Sequence, residues 1–260
     1  MSFWAIYAAL ALVIFGAMTC LWLLSLRIHN AGIVDVFWGI GFVMVVWGAF
    51  LLSGDEFVPR KLLIGSLVTV WGLRLAMHIL IRNWGKPEDF RYAAWREAAG
   101  RSWWCRSYFK VFLLQGLILL LVAAPLLDVQ SRAAASPLTG LDWVAVLLWL
   151  IGFVFEAGGD WQLLRFKSNP ANRGEVLQSG FWRYTRHPNY FGDALQWWAF
   201  YLIALAGGGW WTLFSPVLMT YLLVQVSGVA MLEKSLREAK PQYRQYIERT
   251  SPFFPWFPKR

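Results

Sequence analysis

Charge is scarce in this sequence. Asp, Glu, Lys and Arg make up 15% of it, against about 25% in an ordinary soluble domain, so water is not the solvent for most of these side chains. Cysteine is scarcer still. Cys20 lies in an apolar run and Cys105 in a basic loop, so no disulfide framework and no thiolate metal site is expected. The three histidines, His29, His78 and His187, are scattered without ligand spacing, which leaves no metal centre to assign. Acidic residues are outnumbered 15 to 24 by Lys and Arg, for a net charge of +9. That excess could serve nucleic acid, but it sits in loops between apolar spans and no nucleic-acid-binding module is visible. Anionic headgroups of the bilayer and an anionic cofactor are the partners it fits. Repeats, low-complexity tracts and a linker that would split the chain are all missing, so residues 1–260 read as one domain.

What the sequence has in abundance is apolar surface. Hydrophobic residues make up 58%, mean hydropathy is +0.46, and there are 18 Trp and 19 Phe; Trp favours membrane interfaces. About 20 apolar residues span a hydrocarbon core as a helix. Seven stretches approach this: Phe3–Leu26, Gly32–Ser53, Leu62–Ile81, Ser107–Leu127, Trp143–Leu164, Tyr190–Ala206 and Trp210–Leu232. The first lacks a basic leader and a small-residue cleavage site, so it reads as a membrane helix rather than a signal peptide. The expected fold is an all-α integral membrane bundle of about seven helices.

Orientation follows from the loops. Nineteen Lys and Arg fall between spans one and two, three and four, five and six, and after span seven; the opposite loops hold three, Arg60, Lys61 and Arg132. The positive-inside rule then places the N-terminus outside and the C-terminus in the cytoplasm. The expected location is a bacterial inner membrane.

Chemistry concentrates between residues 156 and 193, EAGGDWQLLRFKSNPANRGEVLQSGFWRYTRHPNYFGD. Glu156 and Asp160 lie four apart on one helical face, near Arg165 and Lys167. Intramembrane carboxylates are costly unless paired or wet, and are functional by default; a structural ion-pair cluster closing the helix end is the other reading. Pro188 suits a helix's first turn. The free N–H groups there, with Arg183, Arg186 and His187, would form an anion site. Asp193, one turn on, could accept from a ribose hydroxyl or an amide. A basic stripe touching lipid phosphates would explain the arginines but not Asn189, Tyr190 and Asp193.

RYTRHPNYFGD, the preceding GDWQLLRF and the closing YRQYIERTSPFFPW resemble the C-terminal half of the steroid 5α-reductase superfamily. More narrowly, from VDVFWGIGF at Val34 to Pro258, the chain resembles bacterial membrane proteins grouped there as a domain of unknown function. The Arg-His-Pro-Asn-Tyr type of motif is also similar to those of sterol C14 reductases and isoprenylcysteine carboxyl methyltransferases. The resemblance implies a cofactor-binding half, residues 142–260, whose cytoplasmic motif grips NADPH, and substrate-side helices, residues 1–127. The cofactor set it implies is Glu156, Asp160, Arg165, Tyr184, Arg186, His187, Asn189 and Asp193, covered by Arg237, Arg244 and Tyr246 of the tail. Position 156 departs from the family, which tends to have Asn there.

The first half departs further. Steroid reductases carry a Glu on the second span and a Tyr on the third to polarise the substrate carbonyl. Here span two offers Asp35, span three offers Trp71, Arg74 and His78, and no Tyr is found for the second role. Asp35, Trp71 and Arg74 are the catalytic candidates, expected to face the bundle interior. Asp35 could pair with Arg74 and stay ionised as a tie, or stand unpaired as a proton donor. His78 reads as a hydrogen-bonded core group. EDFRYAAWRE between spans three and four is either an interfacial amphipathic helix or a cofactor lid. The function implied is NADPH-dependent reduction of a C=C bond in a steroid-like or other lipid enone. The alternative is an S-adenosylmethionine-dependent lipid or isoprenylcysteine-type methyltransferase. Cofactor charge separates them, since NADPH carries phosphates that ask for Arg and Lys and S-adenosylmethionine carries none. A scaffold or transporter ranks below both, without paired Gly/Pro interruptions in two halves.

Reporters fused after Arg132 and after Arg260 should report opposite sides of the membrane. Both on one side would refute the seven-span topology.

Overall fold

The computed structural model describes residues 1–54, 59–132, 137–226 and 242–259. Among them every regular element is a helix. Arg237, expected over the cofactor, and the end of the seventh span lie outside the described residues. Five helices are long and apolar enough to cross a membrane: Phe3–Ile28, Ile33–Ser53, Pro59–Asn83, the run Phe90–Val122 and Gly140–Ser168. A 19-residue helix, Pro188–Ala206, and a shorter apolar one, Trp210–Val226, complete the membrane-type elements. Their outer faces agree with this. Leu12, Leu51, Leu73, Met77, Leu147 and Val154 are more than half exposed; acyl chains rather than water suit such positions.

The chain divides into two compact units, Met1–Leu138 with Gly207–Thr212, and Thr139–Ala206 with Leu213–Arg260. The first contains α1 (Phe3–Ile28), α2 (Ile33–Ser53), α3 (Pro59–Asn83), α4 (Phe90–Ala99), α5 (Trp103–Ser107), α6 (Leu114–Val122) and α7 (Ala124–Ser131). A π-helical turn, Tyr108–Leu113, joins α5 to α6. Ser2 caps α1 by accepting from the Ala5 amide at 3.3 Å. At the other end of α1, His29 adopts a left-handed φ of 55° and starts the turn into α2.

Helices α2 and α3 meet backbone to backbone. A Cβ on Gly39 would lie 2.0 Å from the Gly72 carbonyl oxygen, and one on Gly72 would lie 2.5 Å from that of Gly39. Between apolar solvent and apolar helix there is little hydrophobic gain on association, so close approach through small residues supplies the packing. Both ends of this unit collect segments that the charge count puts on a common side. At one, the α1–α2 turn meets the α3–α4 loop, where the Ala31 amide donates to Glu88 at 2.6 Å. At the other, Phe3 of α1 and Asp128 of α7 meet Trp211, at 5.5 Å between ring centroids and by a 2.9 Å hydrogen bond.

The second unit holds α8 (Gly140–Ser168), α9 (Pro188–Ala206), α10 (Phe214–Tyr221), a π-helical turn Leu222–Val226, and α11 (Gln242–Arg249). Thr139 and Asp142 form a reciprocal capping box at the start of α8, satisfying two of its orphan amides. Helices α8 and α9 repeat the glycine device. A Cβ on Gly152 would sit 2.6 Å from the Gly192 oxygen, and one on Gly192 2.3 Å from that of Gly152. The polar face of α8 is thereby pressed against the first turns of α9.

Gly39→Ala should destabilise the protein by about 1–3 kcal/mol or more, the usual cost of overpacking. Gly16→Ala, where an added Cβ meets nothing within 4 Å, should leave the thermal unfolding midpoint in detergent unchanged or slightly raised. Equal midpoints for the two variants would refute the backbone contact.

Candidate functional site

The second unit carries a buried polar stripe where α8 faces α9. Glu156, Asp160, Asp193 and Gln196 are exposed by 2, 7, 8 and 0%. Their spacing produces this: Glu156 and Asp160 are one turn apart on α8, and Asn189, Asp193 and Gln196 follow one face of α9. Gln196 Nε2 donates to Glu156 Oε2 at 2.6 Å, and Asn189 Nδ2 donates to Asp160 Oδ1 at 3.0 Å. Each amide satisfies a carboxylate that would otherwise be costly so deep in an apolar bundle. Having spent its N–H there, Asn189 leaves a buried Oδ1 with no hydrogen-bond partner among the described residues. An acceptor in that position suits a hydroxyl or amide of a ligand.

The loop leading into α9 is fixed from both sides. Gly180 turns with φ 62°, where a Cβ would lie 2.3 Å from the Gln162 side chain, and the Phe181 amide donates to Gln162 Oε1 at 3.0 Å. The Trp182 indole donates to the Gly159 carbonyl of α8 at 3.0 Å. Pro188 then opens α9. His187 is 3% exposed and stacks on Tyr190 at 5.6 Å between ring centroids.

The C-terminal segment is clasped onto this loop. The Arg186 amide donates to the Ser251 carbonyl at 2.9 Å, the Trp256 amide to the Tyr184 carbonyl at 2.9 Å, and Thr185 Oγ1 to the Phe253 carbonyl at 2.8 Å. Arg186 is 6% exposed, and its Nη1 donates to the carbonyls of Ile247 and Thr250. It therefore caps the C-terminus of α11, where a cation also meets the negative end of the helix dipole. The expectation put this guanidinium on phosphate; its observed Nη1 partners are protein carbonyls. Tyr246, expected as a cover, is 2% exposed and donates its hydroxyl to the Trp182 carbonyl, inside the clasp. Arg183, Tyr184 and Arg244 are exposed. Arg165, also exposed, lies over the Trp161 ring at 5.4 Å and lines a cleft of about 420 Å³ with Asn169, Asn172 and Ser179.

The residues present fit a dinucleotide in kind. Buried carboxylates and the open Asn189 oxygen are acceptors for ribose hydroxyls and a carboxamide, and exposed arginines surround the loop for the phosphates. Among the described residues no group of three or more His, Cys, Asp or Glu could hold a metal ion.

In the first unit, Asp35 finds partners the sequence reading did not name. Tyr92 Oη donates to Asp35 Oδ1 at 2.7 Å and Arg91 Nη2 to Oδ2 at 3.4 Å. Gln115 Nε2 donates to Tyr92 Oη at 3.1 Å, and the Trp38 indole donates to Gln115 Oε1. Arg74 is not among Asp35's partners. Trp71 is 1% exposed and packs on Phe42 at 5.6 Å between ring centroids. Tyr92, 3% exposed, belongs to α4. The signal was present in EDFRYAAWRE: Asp89 caps α4 by accepting from the Arg91 amide at 3.0 Å. Glu88 receives Arg96 at 2.8 and 2.9 Å. Burial draws the Asp89 carboxyl up, but its hydrogen bonds and ion pair with Arg91 outweigh that and hold it below the usual carboxylate range.

The family described as "Protein of unknown function (DUF1295)" matches residues 21–250. An uncharacterized protein of Schizosaccharomyces pombe is 28% identical over 264 residues, covering 90% of this chain and 75% of that protein. The Delta(14)-sterol reductase of the same yeast is 32% identical over 136 residues, 45% of this chain and 30% of the reductase. No solved structure matches significantly.

Because its folded-state value is depressed, Asp89 contributes stability that is present above the unfolded value of about 3.9 and lost as pH falls through the folded one. Asp89→Asn keeps the cap and removes the charge. It should lower stability at pH 7 by up to about 1 kcal/mol, a deficit that closes in acid. A deficit independent of pH would assign the effect to packing instead.

Proposed function

We propose that this chain, which belongs to the DUF1295 family, is a membrane-embedded reductase that uses NADPH to saturate the C=C bond of a lipid enone. One observation carries the reading: a polar stripe in which buried Glu156 and Asp160 of α8 face Asn189 and buried Asp193 in the first turns of α9, with the Asn189 Oδ1 buried and without a hydrogen-bond partner among the described residues. The similarity to a sterol reductase over 136 residues supports a reductase over a transferase, and a sterol-like substrate is taken from that protein's name.

NADPH would supply the hydride to the β-carbon of the enone. The chain's own groups do the rest. Asn189, oriented by Asp160, presents its Oδ1 to a ribose hydroxyl or carboxamide. Arg183 and Arg244, exposed beside the α9 entry loop and on α11, meet phosphate oxygens. Arg186 is a positioning residue, acting through the carbonyls of Ile247 and Thr250 to hold the tail on the loop. On the substrate side, the reading keeps Asp35, Trp71 and Arg74 and adds Tyr92, whose phenol is held by Asp35 and Gln115. A hydrogen bond from Arg74 would polarise the enone carbonyl, with Tyr92, its O–H committed to Asp35, shaping the pocket wall, and a proton from water passed to the α-carbon would complete the addition of two hydrogens. NADP⁺ leaves.

Calorimetry on the purified protein in detergent should show NADPH binding. Asp160→Ala, which releases the Asn189 amide, should weaken it roughly ten-fold, and Arg244→Ala roughly ten- to a hundred-fold, the loss of one charge-assisted contact. Consumption of NADPH at 340 nm should require an added steroid or isoprenoid enone. Binding of S-adenosylmethionine with none of NADPH would move the protein to the methyltransferases.

A further inference from the structure

The end of the first unit where α1 begins and α7 ends carries a cleft that the proposed reaction does not use. Its volume is about 430 Å³, within the range of small-molecule sites, and Phe3, Trp4, Asp128, Ser131, Arg132 and Trp211 line it. Three segments far apart in sequence build it: the first turn of α1, the last turn of α7 with Arg132 beyond it, and the segment 207–212. The charge count places all three on the non-cytoplasmic side.

Asp128 organises the cleft. It is 5% exposed and accepts from Arg132 Nε at 2.6 Å, Arg132 Nη2 at 2.9 Å and the Trp211 indole at 2.9 Å. A carboxylate buried this far costs several kcal/mol unless donors meet it; three do, and its acceptor capacity toward a ligand is largely spent. In return it fixes the guanidinium and the indole. Trp211 packs edge-on against Phe3 at 5.5 Å, and Phe3 edge-on against Trp4 at 5.1 Å, which makes a three-ring corner. Two donors remain open. Arg132 Nη1 makes no hydrogen bond among the described residues, and the cation is partly exposed. Ser131 Oγ is buried and has no hydrogen-bond partner among the described residues. Gly208 faces Nη1, with an ideal Cβ only 3.4 Å away, so a side chain there would crowd that edge.

Open donors, spent acceptors and aromatic walls together select an anionic oxygen attached to something apolar. We propose that this cleft holds the phosphate headgroup of a membrane phospholipid, with Arg132 Nη1 and Ser131 Oγ on the phosphate oxygens. Trp4, Phe3 and Trp211 pack on the glycerol, and the exposed face of α1 through Leu12 carries the acyl chains. Free phosphate is the poorer occupant, because Asp128 already offsets much of the Arg132 charge. A lipid adds apolar contact along the rings, worth about 25 cal/mol per Å² removed from water, and is present at high local concentration in the bilayer. Tryptophans such as Trp4 and Trp211 also belong at headgroup depth.

Native mass spectrometry of the protein in mild detergent with added dioleoylphosphatidylglycerol tests this. One bound phospholipid per chain is expected, with Arg132→Gln reducing its retention at least ten-fold. That variant disturbs the Asp128 pair, so Ser131→Ala and Trp4→Ala are measured as well. Both leave Asp128 its three donors, and each should reduce retention several-fold at an unchanged unfolding midpoint. Dioleoylglycerol, which lacks the phosphate, should be retained no better than detergent, and inorganic phosphate at millimolar concentration should not displace the lipid. Undiminished retention in Ser131→Ala and Trp4→Ala, or equal retention of dioleoylglycerol, would overturn the proposal. So would displacement by inorganic phosphate, which would make this a free-anion site. NADPH binding is read separately, so failure here leaves the reductase reading standing.

Discussion

A carboxylate buried in an apolar bundle has to be met by donors, and much of this structure is arranged around that requirement. Lipid offers none, and an isolated charge there costs several kcal/mol. Asp35 meets Tyr92 and Arg91, Asp128 meets Arg132 and Trp211, Glu156 meets Gln196, and Asp160 meets Asn189. In each of these four cases the donors include a side chain from another segment. Each such pair therefore also fixes where two elements touch, and helices that gain little hydrophobic energy by associating acquire specific register.

Glycine makes those meetings geometrically possible. With Gly152 against Gly192, α8 and α9 approach to backbone contact. At that separation the short Asn189 and Gln196 side chains reach across to the carboxylates. The same close crossing in the first unit, Gly39 against Gly72, sets α2 against α3. A methyl group at either crossing would push the helices apart, and at the α8–α9 crossing it would unpair Glu156 and Asp160, so packing and electrostatics are one device there.

At the entry to α9 a few residues have unequal structural duties. Asn189 and Asp193 face the stripe from within the helix. Arg186 and Tyr246 work as fasteners, tying the closing segment to the loop by its carbonyls. Arg183 and Arg244 keep exposed charge. The proposed NADPH site therefore depends on the last residues of the chain even where these need not touch the ligand.

From the amino-acid sequence alone the membrane class, the helical fold and the polar segment from Glu156 to Asp193 can be read, because hydropathy, spacing along one helix and the unusual placement of acids are local properties. Glu156 and Asp160 share a face by spacing alone. The partners are another matter. Asp35 could be matched with Arg74 on paper, yet Tyr92 and Arg91 reach it, because α4 folds the α3–α4 loop back over the start of α2. Arg186 looks like a phosphate ligand in a basic motif until α11 brings its carbonyls to it. Asp128, Arg132 and Trp211 carry no motif at all. Which donor meets which buried acid depends on how segments distant in sequence come together, through the Gly152–Gly192 crossing for Glu156 and Asp160 and through α4 and Trp211 for Asp35 and Asp128, and only the tertiary structure decides that.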